Sequence, residues 1–232
     1  MSINIFGIAF HLYGLVLGLG VLASFEASVW FGKSRGIDKE IAERLFFWVV
    51  VGGIIGARLY HVIDKWKEIY SLNPISVLYL WNGGLGIWGA IIGGIVGLLF
   101  YFQRSSGKKN SKNQFLNLLD VACFGVPLGQ AIGRWGNFFN NEIVGKNGEP
   151  LFLYESLLNV LLFSSLVVVS RRSKKIGVIS GLYLAGYGII RLVLEPLRPD
   201  SIIWKIYGIP AASLVALSTI AVGSFLIFRK RS

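Results

Sequence analysis

The sequence predicts an all-α polytopic membrane protein of about seven transmembrane helices, with the N-terminus outside and the C-terminus cytoplasmic. Three observations predict it. Of 232 residues, 54% are hydrophobic and only 15% charged, where a soluble chain carries roughly a quarter charged, and the mean hydropathy is +0.63. Seven apolar stretches approach or exceed the roughly 20 residues a helix needs to cross about 30 Å of hydrocarbon. Basic residues gather in alternate connections between those stretches.

The spans are expected near 5–31, 44–63, 83–103, 116–133, 151–170, 176–195 and 209–228. The first is too long, and too poor in preceding basic residues, for a cleavable signal. Between the second and third, the aromatic stretch 74–82 after Pro74 predicts a short interfacial helix. In the third, Gly89, Gly93 and Gly97 recur at i, i+4 and i+8, a small-residue stripe that lets another helix approach closely. No internal repeat is visible, and residues 1–232 are expected to form one transmembrane domain.

Orientation follows from the loops. Lys33, Arg35 and Lys39, then Arg104, Lys108, Lys109 and Lys112, then Arg171, Arg172, Lys174 and Lys175, and finally Arg229, Lys230 and Arg231 make 14 of the 23 basic residues. The opposite loops hold six: Lys65, Lys67, Arg134, Lys146, Arg198 and Lys205. Arg44, Arg58 and Arg191 lie at span ends or inside spans. An excess of basic residues marks the cytoplasmic side. The net charge of +11 is thus accounted for by loops, and no nucleic-acid-binding signature accompanies it. The single cysteine, Cys123, excludes an intramolecular disulfide and fits a small core residue. No ligand cluster suggests a metal, and no organic cofactor is implied.

The informative residues are ionisable groups at membrane depth: His11, Glu26, Arg58, His61, Asp120, Arg134, Glu155, Arg191 and Glu195. Each costs at least about 2.5–3.5 kcal/mol in a helix centre, so such groups pair or line a polar cavity. Tyr187, Arg191 and Glu195 fall at i, i+4 and i+8 on one helix face, and Arg58 and His61 at i and i+3 share another. Intrahelical pairing explains either set by itself. The segment 133–145, with three glycines, three asparagines, Arg134 and Glu142, predicts an irregular, hydrogen-bonding backbone lining a cavity on the outer side.

That segment, Gly133-Arg134-Trp135-Gly136-Asn137-Phe138-Phe139-Asn140-Asn141-Glu142-Ile143-Val144-Gly145, resembles the signature of prolipoprotein diacylglyceryl transferases, Gly-Arg-x-Gly-Asn-Phe-x-Asn-x-Glu-x-x-Gly. Further likenesses follow in family order: Tyr13-Gly14, Gly56-Ala57-Arg58, Trp81-Asn82-Gly83-Gly84, Leu153-Tyr154-Glu155, and Tyr187-Gly188 through Arg191, Glu195 and Arg198-Pro199-Asp200. Two departures stand out. Trp88 occupies the position of a histidine often assigned to catalysis, and Glu149-Pro150-Leu151-Phe152 stands where many members have His-Pro-x-Gln.

The resemblance implies transfer of the diacylglyceryl group of phosphatidylglycerol to the lipobox cysteine of a prolipoprotein signal peptide, in a bacterial cytoplasmic (inner) membrane. It marks Tyr13, Arg134, Asn137, Glu142, Gly145, Arg191 and Glu195 as the positions that matter most. On this reading Arg134 and Arg191 clamp the lipid phosphate, with Arg58 as a third contributor, because a guanidinium is a permanent bidentate cation. Asn137 and Asn140 order the headgroup or the loop, Glu142 and Glu195 orient the arginines, and Tyr13, Tyr187 and Gly145 line the site. His61, Glu142 or the arginine field itself activates the thiol. The rival readings are a transporter or channel and an inactive lipid-binding relative.

Overall fold

The computed structural model describes residues 2–5, 8–80, 83–105, 112–140 and 142–229, with side chains from residue 12 onward. Trp81, Asn82, Lys108, Lys109, Asn141, Lys230 and Arg231, and the side chain of His11, therefore lie outside the described residues. Two short strands, β1 (Ser2–Ile5) and β2 (Ile8–His11), pair antiparallel ahead of α1 (Leu12–Ser34). The helices α2 (Lys39–Asp64), α3 (Ile87–Ser105), α4 (Lys112–Phe124), α5 (Val126–Phe139), α6 (Leu151–Arg172), α7 (Val178–Leu194) and α8 (Ala211–Phe228) follow. A two-residue hairpin, β3 (Lys205–Ile206) and β4 (Ile209–Pro210), precedes α8 and turns through Tyr207 and Gly208 at positive φ, the geometry that matches strand twist.

Among the described residues seven helical segments are long and apolar enough to cross a membrane. Many large apolar side chains point outward from them, among them Leu15, Leu19 and Leu22 on α1 and Ile91, Ile92 and Ile95 on α3. In water this would be an aggregating surface; against lipid it is the solvated one.

Three sequence expectations need correction. Residues 5 and 8–11 are strand, not the start of the first span; the β-branched and aromatic residues Ile3, Ile5, Ile8 and Phe10 favour strand pairing. The fourth span is longer than expected, Lys112–Phe139, and breaks at Gly125 because Pro127 cannot continue the preceding hydrogen-bond ladder. Most consequentially, Gly133–Phe139 is helical, and the irregular backbone begins only at Asn140. Gly136 serves packing: a Cβ there would fall 2.9 Å from the Tyr13 ring. Within the stretch expected as an interfacial helix, Pro74–Leu78 forms a 3-10 turn, preceded by a π-helical turn at Trp66–Tyr70.

The chain forms two compact units, Met1–Ile37 with Leu119–Ser232, and Asp38–Leu118. In the first, α1 packs on α5, α5 on α6, α6 on α7 and α7 on α8. Gly20 and Gly129 bring α1 and α5 to backbone contact. Asp120, fully buried, accepts from the backbone N–H groups of Gly177 and Ser180 and from the Ser180 hydroxyl, each at 2.8 Å. This membrane-depth carboxylate is thereby a helix cap, satisfying the open donors at the start of α7. In the second unit, α2 and α3 meet through the expected glycine stripe: a Cβ on Gly89 or Gly93 would run into the carbonyls of Gly56 or Gly52. Cys123 is a buried free thiol in the core of the first unit.

Candidate active site

Three helices of the first unit deliver charged side chains to one place. Glu155, in the first turn or so of α6, has a side chain only 3% exposed. Arg134 of α5 donates to its Oε1 through Nη2. The Tyr187 hydroxyl of α7 donates to the same oxygen at 3.1 Å. Arg191, one turn further along α7, places Nη1 4.0 Å from Glu155 Oε2 and donates through Nη2 to Glu195 at 2.7 Å. Pro196 ends α7 in a 3-10 turn over Glu195–Leu197, which brings Arg198 Nη1 to 3.7 Å from Glu195 Oε2. Burial first, and then the neighbouring Arg191, draw the Arg198 guanidinium below the usual arginine value, with Glu195 opposing. Its Nε–H is buried without a hydrogen-bond partner among the described residues. Crowded cations with a donor to spare describe an anion-receptive cluster.

A second tier reaches outward from Arg134. Its Nη1 donates to Asn137 Oδ1 at 3.3 Å, and Asn137 Nδ2 donates to Glu142 Oε2 at 3.0 Å. Asn140 Nδ2 donates to the other Glu142 oxygen at 3.3 Å. The Glu142 N–H in turn bonds the Asn137 carbonyl at 2.8 Å, closing the end of α5. Asn137 is buried while Asn140 and Glu142 are exposed, so the network runs from the interior to the surface. Beyond it, buried Gly145 sits against Glu149, whose carboxylate is held below the usual range by hydrogen bonds from Asn147. The loop is pinned to the segment after α7 by Lys146 N–H to the Leu197 carbonyl at 2.9 Å.

The structure thus brings Arg134, Asn137, Asn140, Glu142, Tyr187, Arg191 and Glu195 into one network, with Tyr13 packed on Gly136 behind Asn137. Glu155 and Arg198 were missed as site residues. The signal for Glu155 was a carboxylate at the start of an apolar span, inside a motif already matched.

Arg58, expected as a third phosphate-clamping cation, and His61 belong to the second unit. Arg58 donates through Nε to Val77, through Nη1 to Gly83 and Gly84, and through Nη2 to Ser76 and Tyr79, all backbone carbonyls, at 2.6–3.1 Å. Five N–H groups meet five carbonyls, which leaves no donor for a ligand. His61 Nδ1 lies 2.9 Å from the Tyr70 hydroxyl and its ring packs beside Gly84.

Arg134 and Arg191, both half-buried, thus meet on the buried carboxylate Glu155, and the sequence likeness can be set beside known proteins. The profile of the family described as "Prolipoprotein diacylglyceryl transferase" matches residues 1–229. The chain belongs to this family. Among its relatives, proteins named phosphatidylglycerol--prolipoprotein diacylglyceryl transferase are 36% identical in Finegoldia magna, over 97% of this chain and 93% of that protein. The relative in Symbiobacterium thermophilum is 34% identical, over 98% and 91%, and that in a Nostoc species 33%, over 94% and 86%. Membership over nearly the whole length favours the transferase reading over a transporter or channel.

Proposed function

We propose that residues 1–232 form one transferase domain that moves the diacylglyceryl group of phosphatidylglycerol onto the lipobox cysteine thiol of a prolipoprotein. The single observation that carries this reading is the pair of arginines, Arg134 and Arg191, held over one buried carboxylate, Glu155. Preorganised guanidinium groups in a dry site bind a phosphate and stabilise the charge that develops on it. The sulfur attacks the glyceryl carbon that carries the phosphate ester, the carbon–oxygen bond breaks toward phosphate, and glycerol phosphate leaves. The thiol ionises under the arginine field, and Glu142, joined to Arg134 through Asn137, carries the proton to the surface. Tyr13 and Tyr187 wall the cavity, Gly145 leaves room for the Glu149 side chain against the outer loop, and Glu195 steadies Arg191. Arg58 and His61 shape the loop ahead of α3, where Trp88 stands in the first turn.

The excess of basic residues in alternate connections supports an N-terminus outside and a C-terminus in the cytoplasm, in a bacterial inner membrane. Transfer from phosphatidylglycerol to a synthetic lipobox peptide, measured with purified protein, tests the activity. Complementation of a strain depleted of its own transferase tests it in cells, and rescue by wild type but not by Arg134→Ala is expected. Failure of both, with the protein folded and in the membrane, would leave an inactive lipid-binding relative.

A further inference from the structure

The charge inventory of the cluster separates substrate from product. The described charged groups facing it are Arg134 from α5, Glu155 from α6, Arg191 from α7, and Glu195 and Arg198 from the turn that follows. Three guanidinium groups meet two carboxylates whose side chains are 3% and 5% exposed, leaving one uncompensated positive charge. Glu142 stands one amide further out and is exposed, so water screens it. Tyr187 contributes only a neutral hydroxyl, already spent on Glu155.

The reaction changes the charge of what is bound there. A phosphodiester carries one negative charge. When sulfur bonds to the glyceryl carbon, the electron pair of the breaking bond stays on the phosphate oxygen and the thiol proton leaves with the base. The released phosphomonoester has a second ionisation near about pH 6, so at neutrality it carries nearly two charges. We propose that Glu155 and Glu195 set the cluster to a single net positive charge, so that it holds a phosphodiester monoanion in preference to the phosphomonoester dianion and thereby expels its own product. This rests on the transferase reading above. The two carboxylates are then specificity-determining and positioning residues: each holds an arginine, and together they set the cluster so that a bound monoanion leaves it neutral, whereas a dianion leaves an unpaired negative charge whose desolvation in this site costs more than the added attraction returns.

The test is calorimetric binding of two water-soluble probes, glycerol 1-phosphate and the diester glycerophosphoglycerol, to purified protein in nanodiscs of zwitterionic lipid. For wild type at about pH 7.5 the diester should bind about tenfold tighter. At about pH 5.5 the monoester should gain most of that difference while the diester, which does not titrate, holds its affinity. Glu155→Gln and Glu195→Gln each raise the net charge by one, and each should reverse the preference by about tenfold or more. Wild type favouring the monoester at neutral pH overturns the proposal, as does a preference unchanged in both variants or binding of neither probe. The wild-type pH series needs no variant to fold. If the probes bind as stated but no transfer occurs, the transferase reading fails and the charge rule stands.

Discussion

Arg58 and Arg134 are both arginines within apolar spanning segments, and they are held in opposite ways. Arg58 faces neutral dipoles: five backbone carbonyls of the 76–84 loop take its five N–H groups, and the Tyr70 ring lies 5.3 Å below it. Arg134 faces a charged carboxylate and one amide. The first arrangement uses the guanidinium as a staple whose donors cannot be released without unmaking a loop. The second keeps a cation in place through partners that a phosphate can replace. The difference teaches that a buried arginine declares its role by its acceptors rather than by its depth.

The comparison breaks or sharpens under substitution. Arg134→Ala should lower transfer by about a thousandfold, since a preorganised cation at the leaving group is removed; initial rates with a lipobox peptide measure this, and near wild-type rates would sink the clamp. Arg191→Ala should follow closely. Arg58→Met should act on the fold, orphaning several carbonyls at about 3 kcal/mol in all, read as a lower thermal midpoint in detergent with probe affinity kept in the protein that remains folded. Loss of affinity without loss of stability would make Arg58 a ligand after all. Gly93→Leu should cost about 2 kcal/mol by driving α2 and α3 apart, with the probes still bound.

The smallest effect is at Glu149. Its carboxyl lies below the usual range because Asn147 donates to it. A depressed folded value adds stability above the ordinary carboxylate range, and that contribution is lost as pH falls through the depressed value. Glu149→Gln should therefore trail wild type near about pH 7 and converge with it near about pH 3. An equal gap at both would remove the hydrogen-bond account of the loop.

Composition, span number and the glycine stripe were legible because lipid imposes strong local rules: length, apolarity and small residues at close crossings. The arginines at 134 and 191 were legible for a related reason, since a charge in an apolar run has few innocent explanations. Asp120 carried the same signal and proved to be the cap of α7. The glycines of 133–139 were misread because glycine marks both irregular backbone and close helix contact, and the sequence does not say which.

Chain chemistry alone therefore determined the class of protein, the number of spans and the identity of the charged residues available. Only the tertiary structure decided which of them meet. Glu155 became the hub because α5, α6 and α7 converge on it from positions 134, 155 and 191. Arg58 is committed to backbone carbonyls because the 76–84 loop folds onto it. Partnership between side chains on different helices depends on packing in three dimensions, and periodicity along one helix reports only which face each side chain occupies.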